Sequence, residues 1–155
     1  MPCRILIFVL SALAFLAPVG SSGTLVNASG LPAPRCVSSI PTRSNISFPE
    51  VKGITTRGTL WALLFYRPPA APRTTEKIVL RISGKGPIHV VGIGPSGQRI
   101  SPQWGPERHG GSNWNRPGAE WGTGWQFSVS GCWRLHVRRQ GASGNIWLRV
   151  SHSSR

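Results

Sequence analysis

Apolar and polar side chains alternate with a period of two along most of the chain beyond its apolar start, and no later window holds the 3.6-residue period of a helix for three turns. Residues 77–83 put Ile78, Leu80 and Ile82 on one side and Val79 and Arg81 on the other. Residues 123–129 set Trp125, Phe127 and Val129 against Gly124, Gln126 and Ser128. Residues 133–138 and 145–150 repeat the alternation across a glycine-rich turn, 140–144. Two runs differ. TLWALLFY at 59–66 is apolar on both sides, which suits a central strand covered on both faces. Residues 88–93 are β-branched between glycine- and proline-rich turns. Short strands with this punctuation predict an all-β domain, either a sandwich or a small barrel. RPPAAPRTT at 67–75 reads as a stiff linker or hairpin loop.

The amino terminus follows another pattern. Arg4 precedes an apolar run, 5–19, and the small residues Gly20, Ser21, Ser22 and Gly23 come next. That is the order of a secretory signal peptide, and the run is shorter than the ~20 residues a membrane-spanning helix needs. Val26-Asn27-Ala28 offers the small-residue cleavage pattern, and an earlier cut just after the apolar run also fits. An uncleaved signal anchor is the alternative, and it would be the chain's route into a membrane. The expected organisation is a signal peptide at 1–28, an extended segment at 29–50 and a β-sandwich domain at 51–155, in a secreted or envelope-associated protein.

Export changes how the cysteines read. Cys3 leaves with the signal, and Cys36 and Cys132 remain as one possible pair. Outside the reducing cytosol two cysteines usually close a disulfide, which over this span constrains the unfolded chain by roughly 4–5 kcal/mol in the chain-entropy account. Two unpaired thiols are the alternative. The alternation of 133–138 puts Cys132 on the outer side of its strand unless Gly131 supports a bulge.

The run 122–137, GTGWQFSVSGCWRLHV, resembles the last strands of a widespread group of uncharacterised secreted bacterial proteins. Those strands show a glycine-rich segment, an alternating aromatic strand, Gly-Cys-Trp and then the closing strands. Leu60-Trp61 and the early Cys36 are similar too, so the resemblance spans 36–150, loosely outside 122–150. It implies a small immunoglobulin-like β-sandwich with a Cys36–Cys132 bridge, and it implies no activity. Residues 102–121 depart from the group in length and in tryptophan content.

Charge narrows the function. Against 18 Lys+Arg stand 4 acidic residues, all glutamates, for a formal net charge of +14. So few carboxylates leave little room for acid–base chemistry or hard-metal sites. Arginine supplies 15 of the cations, stays protonated, and grips carboxylate or phosphate through a planar fork. Inside a cell such a charge would suggest nucleic acid. On an exported chain it points away from nucleic acid and toward anionic wall polymers, acidic glycans or lipid headgroups.

Several motifs fail on their context. Gly92-Ile93-Gly94-Pro95-Ser96-Gly97 matches G-x-G-x-x-G, yet residues 98–102 read as another short strand. Dinucleotide binding needs a helix there, so the match reads as a hairpin turn. Ser112, His109 and Glu107 share one segment, but no G-x-S-x-G frames the serine. Glu107 and Glu120 are the pair a secreted glycoside hydrolase would use as acid and nucleophile, which is the enzymatic alternative. An exported metal-binding domain is a further alternative. The histidines beyond the signal show no ligand spacing, however, and neither a metal site nor a cofactor is expected.

Two candidate surfaces remain. Residues 102–121 (PQWGPERHGGSNWNRPGAEW) form a connection of unusual length that carries Trp104, His109, Trp114, Arg116 and Trp121. They suit either a groove for a sugar or an anion, or a lid on the end of the sandwich. The second surface is the outer face of the closing hairpin. With Trp133, Leu135, Val137, Ile146, Leu148 and Val150 inward, Arg134, His136, Arg138, Trp147 and Arg149 point outward. Like charges across strands repel, so this face suits an anionic partner or tryptophan packed between guanidinium groups. The reading favoured by the sequence is a non-enzymatic secreted β-sandwich that binds anionic envelope polymers or glycans.

Overall fold

The computed structural model describes Cys36 and residues 41–152. The signal peptide expected at 1–28 and the start of the segment expected at 29–50 lie outside the described residues. The alternating runs form strands because burying one side of each run requires its backbone polar groups to be paired, and ladders between neighbours pair them. In chain order the first six are β1 (Thr42–Arg43), β2 (Pro49–Lys52), β3 (Ile54–Arg57), β4 (Leu60–Leu64), β5 (Thr75–Ile82) and β6 (Lys85–Ile93). Then come β7 (Arg99–Ile100), β8 (Trp104–His109), β9 (Ala119–Gln126), β10 (Gly131–Gln140) and β11 (Ala142–Val150).

Two antiparallel sheets result, ordered β1-β2-β4-β5-β9-β8 and β3-β11-β10-β6-β7. With β1, β3 and β4 set aside, the order is that of an immunoglobulin sandwich. Strands β2, β5, β9 and β8 take places A, B, E and D; β11, β10, β6 and β7 take G, F, C and C′. Strand β4 is an insertion between A and B. The six-stranded sheet takes in Thr42–Arg43 and Pro49–Lys52, so pairing already begins within the lead-in to residue 51.

The core lies between the sheets. Leu60, Ala62 and Leu64 meet Ile78, Leu80 and Ile82 on one side, with Leu135, Val137, Ile146 and Leu148 opposite. Each large aliphatic side chain so buried contributes about 1.5–3 kcal/mol. Phe127 stacks with Trp125 at a 6.4 Å centroid distance and tilts against Trp133 at 5.2 Å. Thr123 is the polar member of this layer. Its Oγ1 donates to the Ile78 carbonyl at 2.7 Å and accepts from Trp125 Nε1 at 2.8 Å, so no polar atom of that pair is left unsatisfied. The two-sided apolar run predicted at 59–66 has its explanation here: Leu63 of β4 faces away from the core into a second cluster with Val79 and Trp114.

Three details differ from the sequence pattern. Strand β9 ends at Gln126, and Val129 turns outward at 44% exposure while its carbonyl accepts from Trp133 Nε1 at 2.9 Å. The turn expected at 140–144 is tighter, because Arg139 pairs with Ala142 and Gly141 takes a φ of 81° at the corner. Residues 102–121 hold a strand, β8, which the Gly-Pro in its middle hides. Proline fits there because β8 is an edge strand and its register shifts between Trp104 and Glu107. The G-x-G-x-x-G run is the β6–β7 hairpin, closed by Gly94 N donating to Gln98 O at 2.8 Å.

Cys36 and Cys132 form a disulfide with a Cα–Cα distance of 5.5 Å. Gly131 and Cys132 pair in regular register with Val150 and Arg149, so there is no bulge and Cys132 stays on the outer side of β10. The bridge therefore ties the lead-in segment to the start of strand F instead of joining B to F across the core. The β4–β5 connection makes a further tie: Ala70, fully buried, donates to Arg149 O at 3.1 Å and accepts from Ser151 N at 3.0 Å.

Candidate functional site

Charge divides between the sheets. All four glutamates stand on the six-stranded sheet: Glu50 on β2, Glu76 on β5, Glu107 on β8 and Glu120 on β9. The strands of the five-stranded sheet carry seven cations, from Arg57 on β3 to Arg149 on β11, and no carboxylate. The outer faces of the two sheets consequently differ.

On the outer face of the six-stranded sheet two arginines, Arg81 and Arg116, are matched by glutamates. Trp114, 1% exposed, lies over Leu63 and Val79 and donates from Nε1 to Glu50 Oε2 at 2.8 Å. Arg116 Nε reaches both Glu50 oxygens at 3.1 Å, and its guanidinium sits 4.4 Å from the Trp61 ring centroid. The hydrogen bond to Glu50 raises the Arg116 pKa above its ordinary value. Arg81 Nε pairs with Glu120 Oε2 at 2.8 Å, a second nitrogen of Arg81 bonds the Arg116 carbonyl, and the group lies 5.5 Å from the Trp114 ring. Asn45 clasps the same segment from the β1–β2 turn, donating to Asn113 O and accepting from Asn115 N.

This geometry disperses the tryptophan-rich segment. Trp114 and Arg116 belong to the covering just described. Trp121 is 8% exposed, packs in the core and carries Arg139 at 5.6 Å from its ring. Trp104 is half-buried and lies across Gly122 and Gly124; a Cβ on Gly124 would meet Trp104 Nε1 at 1.9 Å. His109 is exposed and rests over Gly122. Of the two carboxyls considered for glycoside hydrolysis, Glu120 is buried and engaged by Arg81, and Glu107 stands exposed on the edge strand. Among the described residues no three His, Cys, Asp or Glu side chains group to hold a metal.

The closing-hairpin residues come together. Cross-strand partners share a face, so the register sets Arg134 between Trp147 and Ile93, His136 between Asn145 and Val91, and Arg138 between Ser143 and His89. The Arg134 guanidinium lies 5.5 Å from the Trp147 ring, while its Nε is buried with no hydrogen-bond partner in the protein. His136 Nδ1 is 3.0 Å from Asn145 Oδ1, which fixes the ring. Arg149 stands opposite Cys132, beside the disulfide. A concavity of about 440 Å³ opens on this face, lined by His89, Val90, Val91, Arg99, His136 and Arg138.

His89 and Arg99 were not singled out from the sequence. His89 shares the outer face because it pairs with Arg138 across the ladder, and nothing local in the sequence says that β6 lies beside β10. A third feature, also missed, is the exposed Phe48–Phe65 pair at 4.5 Å, with Lys77 at 4.4 Å over Phe65. Comparison with protein-family models, curated proteins and solved structures returns no match, so geometry carries the functional reading.

Proposed function

We propose that the chain is a non-enzymatic, exported β-sandwich that binds anionic envelope polymers or glycans through the outer face of its five-stranded sheet. The supporting observation is the charge division. A sheet with seven cations and no carboxylate presents Arg134, Arg138, Arg149, His136 and His89 to one side. Held together, such groups repel, and an anionic ligand relieves that repulsion while accepting charge-assisted hydrogen bonds. The disulfide accords with an oxidising compartment. The enzymatic alternative lacks support, since Arg81 occupies the carboxylate of Glu120.

Retention of the exported chain on immobilised poly(glycerol phosphate) or polygalacturonate tests this reading. Retention should be strong at low ionic strength and fall steeply as salt rises, through screening and counterion release. The triple variant Arg134→Gln, Arg138→Gln, Arg149→Gln should lose it. Retention that ignores salt, or a triple variant that binds like the wild type, would remove the face from consideration.

A further inference from the structure

We infer that the anionic ligand lies along a trough between β6 and β10, where consecutive oxyanion groups of one linear chain occupy two adjoining subsites. The inference rests on the anion-binding reading and narrows it to one track and one ligand class. The first subsite is the concavity rimmed by His89, Arg99, His136 and Arg138. A second, of about 360 Å³, adjoins it and draws on Lys85, His89, Arg138 and Arg139. His89 and Arg138 line both, so the two concavities adjoin along β6 and β10.

Local structure explains why the trough lies there. The β10–β6 ladder shifts register between Arg138 and Gln140, where two steps on β10 face four on β6, and Gly86 and Pro87 from this irregular stretch of β6 line the second subsite. Arg138, from the outer face of β10, and Arg139, whose guanidinium lies over Trp121 at the end of the core, both line the second subsite. Arg139 is anchored without being neutralised: Nε donates to Gly86 O at 2.7 Å, and a terminal nitrogen donates to Ile82 O at 3.2 Å. A guanidinium held in place by carbonyls keeps its charge and loses less freedom when it meets a ligand. Gly86, at a φ of 72° with open space around it, puts no side chain in the way.

The other end of the face is differently furnished. Arg134 is stacked on Trp147, and Trp147 and Arg149 line a separate concavity with Cys36, Leu64 and Pro69. A single small anion fills one subsite. A chain with repeated charges fills both, and the second contact forms at high effective concentration. The shared chemistry is an oxyanion that accepts bidentate hydrogen bonds, which a phosphodiester and a carboxylate both supply.

Inorganic phosphate titrated into the folded protein should shift the imidazole NMR signals of His89 and His136 and leave those of His109 and His152 in place. The double variant Arg99→Gln, Arg138→Gln should bind poly(glycerol phosphate) and polygalacturonate at least about tenfold more weakly, given the worth of charge-assisted contacts. The double variant Arg134→Gln, Arg149→Gln removes the same charge from the other end of the face and should weaken binding less than the Arg99/Arg138 variant does. The polymer retained to higher salt identifies the group that the subsites take. Phosphate that leaves His89 and His136 unmoved, or a larger loss in the Arg134/Arg149 variant, overturns the trough. Wild-type protein that ignores both polymers while phosphate still moves the two imidazoles leaves the subsites standing and removes the polymer reading.

Discussion

The two outer faces of the sandwich are built from the same residue types and use them to opposite ends. Over the six-stranded sheet, Arg81 and Arg116 find Glu120 and Glu50, and Trp61 and Trp114 lie beneath the guanidinium groups. Over the five-stranded sheet, Arg134 has an indole but no carboxylate, and Arg99 and Arg138 rim an open concavity. Arginine beside tryptophan is therefore not by itself a binding signature. Where a buried glutamate completes the set, the cluster is a covering that fixes a loop on a sheet. Where no acid is within reach, the same pair leaves charge unspent and turned toward solvent, and that surplus makes a surface a candidate for a partner.

The comparison breaks first at Trp114. Trp114→Ala removes a fully buried indole, uncovers Leu63 and Val79, and takes one donor from Glu50. The expected loss of stability is about 3–5 kcal/mol, read as a lower urea midpoint at unchanged slope. Polymer retention of the remaining folded protein should match wild type. Retention lost at full stability would make the segment a binding loop and dissolve the contrast between the faces.

A smaller effect is expected at Gly124. Gly122 and Gly124 lie in the middle of β9, and their missing side chains leave a slot that Trp104 fills over Gly124, with His109 over Gly122. Gly124→Ala sets a Cβ against that indole and should cost about 1–3 kcal/mol by overpacking, with Trp104 fluorescence moving toward the emission of an exposed indole. Gly124→Ala in combination with Trp104→Ala should recover part of the loss, since the clash then has no second party. Equal stability in wild type and Gly124→Ala would show that the slot is not filled.

These residues also mark how far the sequence could be read. Strands β5, β10 and β11 were legible because their inward positions are apolar apart from Glu76 and Arg139 near strand ends, and the outward ones mostly are not. Trp121 was legible in principle: it continues the inward series of Thr123, Trp125 and Phe127 two residues earlier, but the glycines between them obscured it. Trp114 was not legible, because its burial depends on Glu50, far away in the chain, and on no local period. The candidate face divides the same way. Outward parity gave Arg134, His136 and Arg138 on their own hairpin, whereas His89, Arg99 and Lys85 join them through the non-consecutive pairing of β6 with β10. The cations belonging to one strand are visible in sequence, and the topology decides which other strand they share a surface with.

The smallest expected effect tests the comparison from the other side. Because Arg134, Arg138 and Arg149 have no carboxylate partner on their sheet, replacing all three with glutamine should change folding stability by no more than about 0.5 kcal/mol per site, and in the stabilising direction at low salt, where repulsion among the cations is least screened. Wild-type protein should gain melting temperature as sodium chloride is added, since screening relieves that repulsion. The triple variant should gain less over the same range, because part of the repulsion has already gone. Differential scanning calorimetry of both proteins across a salt series reads the two slopes directly. A triple variant that melts well below wild type at every ionic strength would mean that these arginines are spent on interactions within the fold, as Arg81 and Arg116 are, and the two faces would then be alike.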